Sequence, residues 1–380
     1  MPDSIKPDRR GDSTPVKYWD YLQDYHQFRD SYLAAVDGVF SSGRLILGSQ
    51  VADFEERFPA YCGAKFGVGV NSATDAIFLA LKSLDIGSGD EVITVSNTAV
   101  PTVAAIRATG ATPVLVDVEA DTYLMDTALV KARITERTRC IVPVHLCGQC
   151  VDMAPLLEMA RAHGIAIVED CAQACGATYQ GRGAGSMGDI GAFSFYPTKI
   201  LGAFGDGGMA VTSRSEIFKR LQRLRFYGME GAYYAEEEGY NSRLDEVQAA
   251  LLLQRLPKVD AAVAHRQAIA RMYDQGLAGA GDLGLPAHRE GRSHQYYLYT
   301  IRTGSRDALQ RCLAEQGIET RINYPYPIHL MRGYRFLGYR EGDLPVTEKL
   351  AGEILSLPMY SELPETDAQT VIDAVVRFFG

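Results

Sequence analysis

Seven short, nearly continuous apolar runs, separated by stretches long enough for helices, constrain this chain more than any other feature. They are Phe66–Val70, Glu91–Val95, Thr112–Val118, Cys140–His145, Ile165–Asp170, Ile190–Phe195 and Gly208–Thr212. A strand that is apolar on both faces must be covered on both, and a helix between consecutive strands returns the chain to run in the same direction. The expected fold is α/β, a seven-stranded, mostly parallel sheet flanked by helices. With 380 residues, 47% of them hydrophobic and 22% charged, the chain has material for that sheet and for a second, smaller unit. After Pro257 the pattern changes to a helix reaching Gly276, a strand over Gln295–Arg302, a helix to Gly317 and the loop Asn323–Pro327. That order reads as a smaller α+β domain closed by two helices. The expected division is a leader and helix over 1–29, a large domain over 30–256 and a small C-terminal domain over 257–380.

A formal charge of −9, from 38 basic and 47 acidic residues, argues against nucleic acid or a membrane surface as partner. An anionic small molecule would need only a local basic pocket. The polar start MPDSIKPDRRGDSTP is no signal peptide, and no apolar run is long enough to span a bilayer, so the expected location is the cytoplasm. Seven cysteines, an odd number, suit reduced thiols better than a disulfide framework. Cys147 and Cys150 form a C-x-x-C, and Cys171 and Cys175 lie four apart. Zinc or thiol redox chemistry is the alternative to small buried hydrophobes there.

Three features carry chemistry. Lys199 follows the Ile190–Phe195 strand and precedes a glycine-rich turn, which places it at a sheet edge; a partly buried lysine there can lose its charge and form a Schiff base with an aldehyde. Asn71-Ser-Ala-Thr-Asp75 joins a strand to an apolar helix, and such a helix start attracts a phosphate. The same residues also read as a capping box, Ser72 with Asp75, which needs no ligand. Glu169-Asp170 closes the fifth strand with Gln173 three residues on; such a carboxylate is a plain turn residue or the partner of a protonated pyridine nitrogen. Ser242 and Asp245 read as a second capping box, for a helix toward Leu256, and the basic helix Arg214–Phe226 as a solvated face. Gly67-Val-Gly69-Val-Asn-Ser72 leaves a nicotinamide-binding turn as a rival, although both glycines fall inside the strand.

Taken in order, the segments Leu45–Gly48, Ser72–Ala76, Gly89–Ile93, Val144–Leu146, Glu169–Ala174, Ser194–Lys199, Gly205–Gly208 and Asn241–Asp245 resemble the DegT/DnrJ/EryC1/StrS sugar aminotransferases, a branch of the fold-type I pyridoxal-phosphate enzymes. The resemblance spans nearly the whole chain. It implies Lys199 as the Schiff-base lysine, Asp170 on the ring nitrogen and Gln173 near the ring hydroxyl. It implies phosphate contacts from Ala73, Thr74 and Ser194, and from Asn241 reaching in from a second subunit of a homodimer. Arg243, Tyr324 and His329 match substrate-side positions, and no metal is implied. The family usually has glycine where Ala73 stands, an aromatic at Ala99 and histidine at Cys175. The implied activity is transfer of an amino group from L-glutamate, through pyridoxamine phosphate, to a keto group on a nucleotide-linked deoxysugar. Thr98-Ala-Val-Pro-Thr102 with Asn241–Glu246 leans toward C3 of a dTDP-linked 3-keto-6-deoxyhexose, with C4 amination as the alternative. A noncatalytic regulator or thiol–zinc module is the reading from a different class.

Overall fold

The computed structural model describes residues 15–231 and 233–380; most of the expected leader lies outside them. The chain opens with helices α1 (Leu22–Ser42) and α2 (Ser49–Cys62) and then enters the sheet. In order follow β1 (Phe66–Val70), α3 (Ala73–Ser83), β2 (Glu91–Val95), α4 (Val100–Ala108), β3 (Thr112–Val116), β4 (Thr138–Ile141), α5 (Met153–His163) and β5 (Ala166–Asp170). A small ribbon, β6 (Thr178–Tyr179) with β7 (Arg182–Gly183), precedes β8 (Ile190–Ser194), β9 (Gly208–Thr212), α6 (Ser215–Leu224) and α7 (Glu246–Arg255). The second unit comprises α8 (Val259–Leu277), β10 (Tyr299–Arg302), α9 (Arg306–Glu315), α10 (Pro345–Glu353), β11 (Ile354–Leu357) and α11 (Glu365–Phe379).

All seven expected strands form one sheet, in the order β1-β9-β8-β5-β4-β2-β3. Only β9 runs against its neighbours, pairing antiparallel with both β1 and β8. The carboxyl ends of β1, β2, β5 and β8 therefore share one edge of the sheet. Each face has its own apolar layer, because successive side chains of a strand point to opposite sides. Ile77 and Leu81 of α3, Ile106 of α4 and Leu221 of α6 pack with Val68, Val92, Val168 and Ile190 on one face. Phe54 and Phe58 of α2, Leu156 of α5 and Leu252 of α7 pack with Ile93, Ile141, Phe193 and Phe195 on the other. Phe193 and Phe195 are almost wholly buried, worth about 2 kcal/mol each.

The second core gathers Ile269, Tyr273, Tyr299, Leu313, Leu355 and Val375 around the β10–β11 pair. Val16 joins it through a bridge to Ile318, so the segment ahead of α1 packs on this unit. Helix α1 is unbroken across residue 30.

Several local expectations are corrected. The first helix begins at Leu22, runs past the expected boundary at 29, and ends where Gly43 takes a left-handed turn at φ 69°. The run Cys140–His145 is strand only to Ile141; Cys147 sits in a tight turn at φ 58° and ends no strand. The expected strand Gln295–Arg302 shortens to Tyr299–Arg302, and its partner β11 was not foreseen. Ser242 and Asp245 form no capping box. Asp245 makes no side-chain bond to α7, whereas Ser242 Oγ donates to Asp75 Oδ2 at 2.6 Å and accepts from Asn71 N at 3.2 Å.

Candidate active site

The shared edge of the sheet frames a cavity of about 380 Å³. Lys199 reaches it from the turn after β8, Asp170 from the end of β5, and Ser72, Ala73 and Thr74 from the start of α3. Gln173 and Ser194 line it as well, and Tyr297 and Tyr324 close it from the second unit. Three stretches separated in sequence thus converge because β1, β5 and β8 run parallel and end on one edge.

The start of α3 resolves the earlier ambiguity. Ser72 does cap the helix, accepting from Asp75 N at 3.1 Å. The Asp75 carboxylate is held away by Ser242, so it does not oppose an anion at the helix start. The amides of Ala73 and Thr74 precede the helix's own ladder and stay available. Gly208 permits the close approach of β9 to this turn, since a Cβ there would lie 2.3 Å from the Ser72 carbonyl carbon.

The adjacent carboxylates Glu169 and Asp170 point to opposite faces of β5 and have different surroundings. Glu169 is wholly buried, 2.9 Å from His145 Nε2, and accepts from the amides of Gly185, Met187 and Gly188. Burial pushes its carboxyl up, but His145 and those amides outweigh it and hold the group below the usual range. Asp170 accepts from Thr102 Oγ1 at 2.7 Å and from Ala172 N at 3.1 Å, with no cation in ion-pair distance among the described residues. Burial raises its pKa, and the bonds from Thr102 and Ala172 and the charge of Lys199 offset this only in part. A desolvated carboxylate facing a cavity and lacking a cationic partner fits a donor that brings a positive charge.

Lys199 Nζ lies 4.2 Å from the centroid of the Tyr297 ring. The Tyr297 phenol shares a hydrogen bond of 3.0 Å with Thr198. Burial would raise that phenol, but the Lys199 charge and the bonds to Thr198 and Lys199 outweigh it and leave it lowered. Gln173 is fixed at both ends: its Oε1 accepts from Cys147 N at 2.8 Å and its Nε2 donates to Tyr324 at 3.0 Å. A lysine amine, a buried carboxylate and helix-start amides on one cavity fit the amine, ring-nitrogen and phosphate needs of pyridoxal phosphate.

Three candidates lie outside this cavity. Asn241 is exposed, and its carbonyl accepts from Asn71 Nδ2. The Arg243 guanidinium lies over the rings of Phe226 and Tyr227, at 5.2 and 5.5 Å. His329 is buried, with Nδ1 at 2.8 Å from Ser96 Oγ and Nε2 at 3.0 Å from Glu348. Both its ring nitrogens are thus engaged within this chain, away from the cavity. Conversely, Thr98, Thr102, Tyr196, Tyr297 and Asp206 line the cavity without having been assigned a role from the sequence. Tyr297 had no local signal, since only tertiary folding brings it to Lys199.

The rival chemistries find little support. Gly67 and Gly69 are required by packing: a Cβ at Gly67 would strike Pro59 and Met209, and one at Gly69 would strike Leu244. Cys147, Cys150, Cys171 and Cys175 are free and buried, and burial pushes every one of these thiols up, to about 12 for Cys147 and Cys175. His145, Glu169 and Cys171 bring ligand-type atoms within 4.8 Å of one another, yet both His145 nitrogens and both Glu169 oxygens already have partners.

The chain is 52% identical to a dTDP-3-amino-3,4,6-trideoxy-alpha-D-glucose transaminase of Micromonospora megalomicea subsp. nigra, over 94% of this chain and 97% of that protein. DesV of S. venezuelae, solved in complex with a ketimine intermediate, is 45% identical and superposes with a TM-score of 0.95 over 96% of this chain and 99% of that one. The NtdA protein of Bacillus subtilis, solved with bound cofactor PMP, is 27% identical with a TM-score of 0.86, over 92% of this chain and 82% of that one. The chain belongs to the DegT/DnrJ/EryC1/StrS aminotransferase family, whose model matches residues 27–376.

Proposed function

We propose that this protein is a pyridoxal-phosphate-dependent transaminase that aminates C3 of a dTDP-linked 3-keto-6-deoxyhexose, with L-glutamate as amino donor. The observation that carries the reading is the convergence of Lys199, Asp170 and the α3 start on one cavity. Close similarity to a dTDP-3-amino sugar transaminase over nearly the full length supports the substrate class and the position aminated.

Bound there, pyridoxal phosphate supplies an aldehyde that links to primary amines and a protonated ring that withdraws electrons. The Ala73 and Thr74 amides and the Ser194 hydroxyl hold the phosphate, and Asp170 keeps the proton on the ring nitrogen. Gln173, anchored by Cys147 and Tyr324, sits beside the ring hydroxyl. Lys199 would bind the cofactor's aldehyde carbon in the resting enzyme; once freed by the donor, its Nζ would carry the proton from the donor's Cα to the cofactor, and in the second half would carry it from the cofactor to the sugar carbon that receives nitrogen. Tyr297 lies beneath Lys199 and Tyr324 beside Gln173, and together they wall the reacting groups from water.

The protein acts as a cytoplasmic homodimer in which Asn241 of one subunit reaches the phosphate held by the other, with Arg243 beside it on the substrate side. Exposure of Asn241, outside its own chain's cavity, supports this arrangement. Among the described residues no helix is long and apolar enough to cross a membrane. A screen of keto-sugar nucleotides with L-glutamate tests the reading. Amination of the dTDP-linked 3-keto sugar is expected; amination of only 4-keto sugars would move the assignment to C4, and no amination of any would refute it.

A further inference from the structure

Two buried threonines behind Asp170 have hydroxyls that make no bond to backbone among the described residues. Thr98 and Thr102 sit four residues apart across the start of α4, at 2% and 1% exposure. Thr98 Oγ1 lies 3.0 Å from Thr102 Oγ1, which lies 2.7 Å from Asp170 Oδ2. An ionised carboxylate only accepts, so the single Thr102 proton points at Asp170. Thr102 then has only lone pairs to offer Thr98, so Thr98 is the donor between them. The hydroxyls therefore run one way, from Thr98 to Thr102 to Asp170. They do not serve the helix, because α4 opens on Ala99 with no side-chain cap.

We propose that Thr102, oriented by Thr98, is a positioning residue that keeps the Asp170 carboxylate ionised and aimed into the cavity. The proposal rests on the transaminase reading, in which Asp170 meets a protonated ring nitrogen. Burial alone favours the neutral acid, and a neutral carboxyl could not hold that proton. Thr102 provides the foremost of the interactions opposing burial, ahead of the Ala172 amide, Lys199 and His145. The other ionisable groups around Asp170 are Asp206 and the Tyr196, Tyr297 and Tyr324 phenols on the cavity, the adjacent buried Cys171, and Glu169, which is engaged by His145 on the opposite face of β5. The pair thus gives a physical role to the Thr98–Thr102 pattern, which the sequence marked without assigning one.

The test compares Thr102→Val, Thr102→Ser and Thr98→Val in the full-length protein. It measures the dissociation constant for pyridoxal phosphate by absorbance titration and the rate at which L-glutamate bleaches the visible band in a single turnover. Thr102→Val is expected to weaken cofactor binding and to slow bleaching by roughly 10- to 100-fold, the worth of one hydrogen bond to a charged group. Thr102→Ser should restore both, because it keeps the hydroxyl. Thr98→Val should show a smaller loss in the same direction. Wild-type affinity and rate in Thr102→Val would overturn the proposal, as would a loss that serine does not restore, since packing alone would then explain it. A wild-type protein that binds the cofactor but does not react with glutamate contradicts the transaminase reading instead. The affinity comparison of valine with serine then still decides the role of Thr102. Wild-type protein that takes up no cofactor would overturn both.

Discussion

Glu169 and Asp170 are neighbours with the same charge and opposite duties, and strand geometry explains why. One faces the inner layer, where a histidine and three amides satisfy it; the other faces the cavity and is left without a counter-ion. Stability should respond to them with opposite signs. The depressed Glu169 stabilises the fold above the ordinary carboxylate pKa, and this contribution is lost as pH falls through its lowered folded value. The raised Asp170 opposes folding of the cofactor-free protein above its folded pKa, and this cost disappears as pH falls. Asp170→Asn is therefore expected to melt no lower than wild type as apoprotein at neutral pH, while losing most transamination. A calorimetric scan beside a rate assay checks both. At this scale the sequence was partly legible. Lys199, Asp170 and the Ser72–Thr74 turn were expected at one sheet edge because each follows a strand, and they do line one cavity, whereas Gln173 was marked by the family resemblance. The partners of His329 were not legible, because nothing in a Tyr-Pro-Tyr-Pro-Ile-His loop reveals that Ser96 and Glu348 stand on either side of the ring.

Among elements, strands were easier to read than connections. The runs Phe66–Val70, Glu91–Val95 and Gly208–Thr212 match the observed strands because they are mostly apolar and bounded by turn residues. The start of α7 was misread because serine and aspartate three residues apart satisfy a helix-capping pattern whether or not a remote partner takes the serine. The residue that matters there is Glu246, whose carboxylate accepts from the amides of Gly48, Gln50 and Val51 and so caps α2 across almost two hundred residues of chain. Glu246→Ala should strand those buried amides and destabilise the protein by about 2 kcal/mol or more. Glu246→Gln should recover part of this, because one amide oxygen remains to accept. Equilibrium denaturation of both variants measures the difference; equal stability of wild type and Glu246→Ala would show that water replaces the cap at no cost.

For the whole molecule, the seven runs imposed a parallel sheet, and a parallel sheet aligns strand ends on one edge, so the location of the cavity followed from the fold class. What closes the cavity did not follow. Tyr297 and Tyr324 come from the second unit, Val16 packs on that unit from far upstream, and such contacts depend on tertiary docking rather than on any local pattern. The same limit applies to Asn241, whose proposed place is in another subunit. Mixing Asn241→Ala protein with Lys199→Ala protein should therefore restore one working site in every hybrid dimer. One site in each hybrid has neither lesion, provided that Asn241 acts in trans. No recovery after subunit exchange would place Asn241 within its own chain.

The reading as a whole depends on an amine at residue 199 that takes up the cofactor and then exchanges it with a donor. The most direct measurement is the visible absorbance of the pyridoxal-phosphate-loaded protein during titration with L-glutamate and then with the dTDP-linked 3-keto sugar, in wild type and in Lys199→Ala. In wild type the band should be lost with one equivalent of glutamate per chain and return when the keto sugar is added, whereas Lys199→Ala should not turn over. A wild-type band unmoved by either compound, or a Lys199→Ala protein that completes the cycle at the wild-type rate, would contradict it.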